Sequence, residues 1–356
     1  MSDWCRNHFE ITGKSPLLAV AEEWIKGETE PLYRHAVMQS IKIFLAGYSG
    51  LLRPVKTASF SPFPELIKLG VGQNTLANQA YEQWLEYLKK DVPLDGHHIR
   101  LINRVYHQSG IGAIKWESIP ELSRRHIGRL MEDRYADWFG VASLSRDIDF
   151  ALCWEKLGQF PERSQPCDLL QIIPSRLAAE INGSGGLLAG MSTATSLYCR
   201  LYGMEWPAGH NVRFQREGIN SIKLSFDSPW FPPSGESVAA LSAMFDCEIR
   251  HWYSEPAHEL EGFDCYDRGQ HVSSGEVTID ELAAEAEEVV VPENVDEPEA
   301  VNSAQSSFAA LKRCLNHNAS SEAFLLSGIW KKAEEVNIQF QHSVYGRLSP
   351  SKPAAL

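Results

Sequence analysis

Between Trp4 and Thr12 the chain alternates, with Cys5, Asn7, Phe9 and Ile11 on one side and Trp4, Arg6, His8 and Glu10 on the other. A period of two marks a strand with one face buried. Gly13 ends it, and Ser15 suits an N-cap with Pro16 at the first helical position. Leu17, Leu18, Ala21, Trp24 and Ile25 then recur at helical spacing, with Glu22 and Glu23 opposite and Gly27 placed to close the helix. The opening predicts a strand followed by an amphipathic helix.

From about 28 to 150 the pattern is helical, as in Leu76–Lys89 and His97–His107, broken by turns that carry Pro and Gly. Leu169–Ile173, stopped by Pro174, predicts a strand, and the glycine-rich Asn182–Gly190 precedes a helix through Thr195–Tyr202. Asn211–Arg216 and Ser221–Asp227 alternate across Glu217-Gly218-Ile219-Asn220, as a hairpin does. Ser234 suits the cap of a helix that buries Val238, Leu241 and Phe245, after which Glu248–Tyr253 and Leu260–Tyr266 read as strands. The fold class is α+β: a ferredoxin-like βαββαβ layer with one extra strand or more, a large helical insertion and a C-terminal helical extension. The expected divisions are 1–27 (first strand and helix), 28–150 (helical insertion), 151–275 (remainder of the ferredoxin-like domain), 276–305 (acidic linker) and 306–356 (C-terminal helices).

Charge sharpens the picture at one place. The formal net charge is -13, and ten acidic residues between Glu276 and Ala300, among them Glu281, Glu285, Glu287, Glu288, Asp296 and Glu297, leave only -3 for the rest. That segment holds no Lys, Arg or aromatic residue and reads as a solvated linker or an acidic interaction tail for a basic partner. Beyond it Phe308, Leu311, Leu315, Phe324, Leu325, Ile329 and Val336 suggest one or two amphipathic helices, with Trp330 on the same stretch. The longest apolar run, Ile43–Leu52, is too short to span a membrane, and Met1–Glu10 carries charge where a secretory signal would be apolar. The expected location is the cytoplasm. Seven scattered cysteines with no C-x-x-C spacing read as reduced core thiols rather than a disulfide framework or zinc knuckle.

Several motifs resemble a known family: Trp4-Cys5-x-Asn7 with Gly13, PLYRHAV and IKIFLAGYSGLL between Pro31 and Leu52, IIPSRL at 172–177, EINGSGG at 180–186, Tyr202-Gly203-x-x-Trp206-Pro207, and FDSPWFPP at 226–233 with Phe263 and Gly269. On these, over most of residues 3–270, the chain resembles the YubB-like proteins with a ferredoxin-like domain, found on conjugative plasmids and prophages. Relatives often carry Gly-Thr-Lys-Trp where this chain has Gly203-Met204-Glu205-Trp206, so a role for that lysine is absent here. The resemblance implies the fold and a mobile-element setting, and no established activity. "Ferredoxin" refers to topology; no iron–sulfur centre is expected without clustered cysteines.

The search for chemistry gives little. Asn182-Gly183-Ser184-Gly185-Gly186 fails both GxGxxG, at Leu188, and GxxxxGK[ST], which needs a Lys. Gly47-Tyr48-Ser49-Gly50 fails G-x-S-x-G at Leu51. His97-His98 with His107, and Cys247, His251 and Cys265, lack a recognised metal-ligand spacing. Asp147 and Asp149 would share a strand face, but Arg146 beside them favours a surface ion pair. No catalytic residue, cofactor or metal is expected.

The expected function is therefore that of a non-enzymatic plasmid or phage accessory protein binding a host or element-encoded protein, of basic or nucleic-acid-binding type, with inhibition of a host defence system as its specific form. Its partner-binding residues would be Glu281, Glu285, Glu287, Glu288, Asp296, Glu297, Phe324 and Trp330. The alternative is a single-stranded nucleic-acid binder using the sheet, through Arg124, Arg125, Arg129, Trp230 and Trp252, which the net charge opposes. A cryptic enzyme is third.

Overall fold

The computed structural model describes residues 4–140, 148–160, 163–255 and 260–275. Six antiparallel strands form one sheet: β1 (Trp4–Thr12), β2 (His210–Glu217), β3 (Ser221–Pro229), β4 (Glu248–Glu255), β5 (Leu260–Asp267) and β6 (Gln270–Gly275). Their spatial order is β2-β3-β1-β4-β5-β6. The first four strands with helices α1 (Ser15–Lys26) and α10 (Gly235–Met244) make the ferredoxin-like βαββαβ unit, and β5 and β6 widen it.

The alternation in β1 is realised: Cys5, Asn7, Phe9 and Ile11 are buried. Ile222, Leu224 and Phe226 of β3 and Ile249 of β4 join Phe9 and Ile11. Over them lie Leu18, Ala21, Trp24 and Ile25 of α1 and Val238 and Leu241 of α10. Gly13 is required by a close approach, since a Cβ there would lie 2.9 Å from the Cβ of Cys247. Gly27 closes α1 in the left-handed region at φ 70°. The N-cap, however, is Lys14 and not Ser15. Pro16 needs no N–H in the first turn, so the helix starts one residue early, and Lys14 is held by Asp246 at 3.0 Å.

A second core is helical. Helices α2 (Leu32–Tyr48), α3 (Leu76–Lys89), α4 (Gly96–Ser109), α5 (Glu121–Asp133) and α6 (Tyr135–Phe139) are followed by α7 (Phe150–Lys156), α8 (Leu177–Asn182) and α9 (Ala194–Tyr202). Phe44, Tyr81, Trp84, Leu85, Ile102, Met131, Trp138 and Trp154 fill the interior, with Leu177, Ile181 and Leu188 among them, so helical packing runs on past residue 150. No helix among the described residues is long and apolar enough to cross a membrane.

The predicted strand at Leu169–Ile173 is instead a 3-10 turn over Leu169–Gln171. The Asp168 carboxylate accepts from Leu170 N at 3.1 Å, and Ile172 N donates to Leu169 O at 2.9 Å, which curls the run and still buries Leu169 and Ile172. Two cysteines are likewise not core thiols: Cys199 is exposed and Cys265 half-buried, whereas Cys5, Cys153, Cys167 and Cys247 are buried. Cys314 lies outside the described residues.

Candidate interaction surface on the open face of the sheet

Both helices of the ferredoxin-like unit cover the same face of the sheet, so the other half of the alternation defines an open face. None of the described residues on that face is buried. In register, His8 of β1 sits opposite Trp252 of β4, and Trp252 opposite Phe263 of β5. Their rings form a band across three strands, with centroids 5.7 Å apart for His8–Trp252 and 5.0 Å for Trp252–Phe263. His8 Nδ1 also meets Ser225 Oγ of β3 at 2.9 Å. Near the strand ends Trp4 lies 4.7 Å from His210, which in turn lies 5.6 Å from Trp206.

The far end of the face is an ion-pair lattice. Lys223 lies 3.9 Å from Glu10 and 3.3 Å from Glu217, and Arg250 lies 3.9 Å from Glu10 and 3.0 Å from Glu248. By register Arg6, Arg213, Lys223 and Arg250 share the face with Glu10, Glu217, Asp227, Glu248, Glu261 and Asp267, so carboxylates outnumber cations. The surface combines aromatic rings with a net acidic field, a composition suited to protein contacts and poorly suited to phosphate.

Behind the band, the buried edge of the same strands is polar. His251 Nε2 meets Asn7 Oδ1 at 3.0 Å, and Asn7 Nδ2 donates to Ser228 Oγ at 2.8 Å. Burial, with the charge of His8 adding to it, pushes the His251 imidazole down to about 3, so the ring is neutral. Burial, with Glu255 adding to it, pushes the Cys5 thiol up to about 12. These groups are structural.

Of the residues singled out in sequence, Trp252 is part of the band. Trp230 follows β3 with φ 67° and is 43% exposed. Arg124, Arg125 and Arg129 sit on α5 in the helical unit, where Arg125 pairs with Glu121; they are not on the sheet with Trp252. Glu281, Glu285, Glu287, Glu288, Asp296, Glu297, Phe324 and Trp330 lie outside the described residues. Trp4, His8 and Phe263, which the sequence reading did not assign to a site, belong to the face. The signal for Trp4 and His8 was their place in the polar half of the β1 alternation.

The rejected motifs have structural roles. Asn182 Oδ1 accepts from Leu187 N and Leu188 N, while its Nδ2 donates to Met191 O and Ser192 O, so the glycine-rich loop is pinned on a buried amide. Ser49 caps α2, its hydroxyl donating to Ala46 O at 3.3 Å. Asp149 does not stand on a strand; it caps α7 by accepting from Leu152 N. Arg250, not His251, is the register partner of Cys265, so His251 and Cys265 face opposite ways. Among the described residues no group of three or more His, Cys, Asp or Glu side chains is placed to hold a metal ion.

Comparison with known proteins agrees with this architecture. A family model described as a protein of unknown function (DUF1281) matches residues 30–206, and one described as the ferredoxin-like domain in Api92-like protein matches residues 209–296. The chain is similar to the uncharacterised protein YubA of Escherichia coli K12, 31% identical over 169 residues that make up 48% of this chain and 99% of the relative. It is also similar to the uncharacterised protein YubB of the same organism, 39% identical over 108 residues, 30% of this chain and 74% of that one. The crystal structure of protein api92 from Yersinia pseudotuberculosis superposes with a TM-score of 0.76 at 53% identity, covering 78% of this chain and 99% of api92. The motifs, the strand order and these matches together place the chain in the DUF1281 family, with the ferredoxin-like C-terminal domain of the Api92-like proteins.

Proposed function

We propose that the protein is a non-enzymatic accessory protein of a plasmid or phage that acts in the cytoplasm by binding another protein through the open face of its sheet. The observation that carries this reading is the His8–Trp252–Phe263 band on a face where none of the described residues is buried. Rigid aromatic side chains give large contact area at low entropic cost and dominate protein interfaces. The acidic excess of the same face selects a basic partner, including one that itself binds nucleic acid. Inhibition of a host defence protein is the form of this role that the mobile-element setting suggests.

The test is capture of partners from bacterial lysate by the tagged full-length chain, with and without nuclease, in parallel with a Trp252→Ser, Phe263→Ser double variant. A nuclease-resistant protein recovered near stoichiometry and lost in the variant supports the proposal, and its association should slow as salt rises. A partner retained by the variant but lost on removal of residues 276–356 moves the contact to the acidic segment and helices. The nucleic-acid reading has one observation in its favour, that a ring band on an open sheet can also stack bases. It predicts quenching of tryptophan fluorescence by an oligonucleotide at low salt; no quenching removes it.

A further inference from the structure

The open face and the end of the described chain meet at one point. Gly275, the last described residue, is the register partner of Phe263, and a Cβ added there would lie 3.9 Å from Phe263 Cδ1. The chain therefore leaves the sheet at the outer end of the His8–Trp252–Phe263 band, on the edge strand β6. Trp252 and Phe263 are only half-buried, and α1 and α10 both lie on the opposite side of the sheet. A further 81 residues follow Gly275.

Charge divides those residues into two parts. Residues 276–300 hold ten acidic and no basic residues, whereas 301–356 hold six Lys and Arg against three Glu. By register the face itself carries six carboxylates against four cations among the described residues. Like charge keeps the acidic part off it within a Debye length of about 8 Å, and the basic part is attracted. Within the basic part Leu325, Leu326, Ile329, Ala333 and Val336 recur at helical spacing, with Lys331, Glu334 and Glu335 on the opposite arc and Lys332 at the margin. A helix over 324–336 would be about 20 Å long and present one apolar stripe, the complement of a ring band on a half-open sheet. Reach is not limiting: residues 276–323 span roughly 40 Å as a flexible chain, against about 24 Å across six strands.

We propose that residues 324–336 of this same chain dock in cis on the open face of the sheet, their apolar stripe over Trp252 and Phe263, and that a protein partner must displace them. This rests on the reading of the face as a protein-docking surface and names its resident occupant. At a local concentration on the order of a millimolar, a contact with an intrinsic Kd of about 0.1 mM keeps the face roughly 90% covered. The partner then binds the natural chain about tenfold more weakly than a chain whose stripe is broken.

The test is hydroxyl-radical footprinting of the full-length chain beside a Leu325→Asp, Ile329→Asp variant, whose changes lie outside the described fold. Oxidation of Trp252 and Phe263 is expected to rise at least threefold in the variant, with the fully buried Trp84 as an unchanged internal reference. Amide exchange across 324–336 should be slowed in the natural chain and released by Trp252→Ser, Phe263→Ser, with folding checked by circular dichroism. Equal oxidation in the two chains, exchange across 324–336 at the rate of a free peptide, or protection lost on tenfold dilution, which assigns it to a second copy, would each overturn the proposal. Partner capture separates this contact from the function it rests on. A face protected in cis with no partner recovered by either chain sinks the partner reading alone. A partner recovered equally by both chains, on a face equally oxidised in both, sinks the tail contact alone.

Discussion

His251 shows how a single buried side chain sets a pH dependence. The folded state holds the imidazole neutral down to about pH 3, whereas the unfolded chain takes up a proton below its ordinary value of 6.5. The unfolded state therefore binds more protons in that window, and stability is lost as pH falls from 6.5, by up to about 1.4 kcal/mol per pH unit. Asp168 works the other way: its folded value lies above the ordinary 3.8, so its contribution falls as pH rises from about 4 to 6. His251→Gln keeps a donor for Asn7 and removes the titration. Urea midpoints measured from pH 7 to pH 4 should show the advantage of the natural chain over this variant shrinking as pH falls; a constant offset would mean the ring is not held neutral. Lys42 is the opposite kind of residue, a charge in an apolar run. It is 2% exposed with its Nζ 4.8 Å from the Trp154 ring, and burial lowers it to about 8. Lys42→Met keeps the volume and removes the desolvated charge, so the melting temperature at pH 7 should rise, by an equivalent of about 1 kcal/mol.

At the scale of elements, local rules carried most of the reading, and their failures are physical. β1, α3, the β2–β3 hairpin and α10 stand where periodicity, turn glycines and caps put them, and α1 differs only in starting one residue early, with Lys14 and not Ser15 as its cap. Leu169–Ile173 was misread because a short apolar run has no period of its own, and the Asp168 cap that curls it is one residue outside the run. Asp149 was misread for the same reason: one carboxylate before an apolar segment fits a helix cap as well as a strand. The cap of α9 is local too, its two residues lying three positions apart. Thr193 Oγ1 accepts from Ser196 N at 3.0 Å and Ser196 Oγ accepts from Thr193 N at 3.2 Å, a reciprocal box at the start of the helix that carries Tyr198. Thr193→Ala should cost about 1 kcal/mol in chemical denaturation, with little change in the far-ultraviolet spectrum.

At the scale of the whole molecule, the topology was legible and the assembled sites were not. The βαββαβ succession gives the four central strands and their order, whereas β6 lies outside the predicted strands and the aromatic band needs the register of β1, β4 and β5. The Tyr33–Asp168 hydrogen bond likewise joins residues 135 positions apart. Such meetings leave no local trace in sequence. The central place of β1 has a consequence for how the chain is made. Asn7 reaches Phe226 across 219 positions, and both neighbours of β1 lie near the far end of the described chain. A ribosome adding about 5–20 residues per second leaves this strand without partners for roughly 10–40 s. The helices in between contact one another locally and can mature during that wait, drawing the two halves of the sheet together and lowering the entropy of its closure. Nascent chains arrested after residue 205 and treated briefly with protease should be cut within residues 4–12 while 32–139 are protected; the same site should become resistant once β3 and β4 have left the exit tunnel.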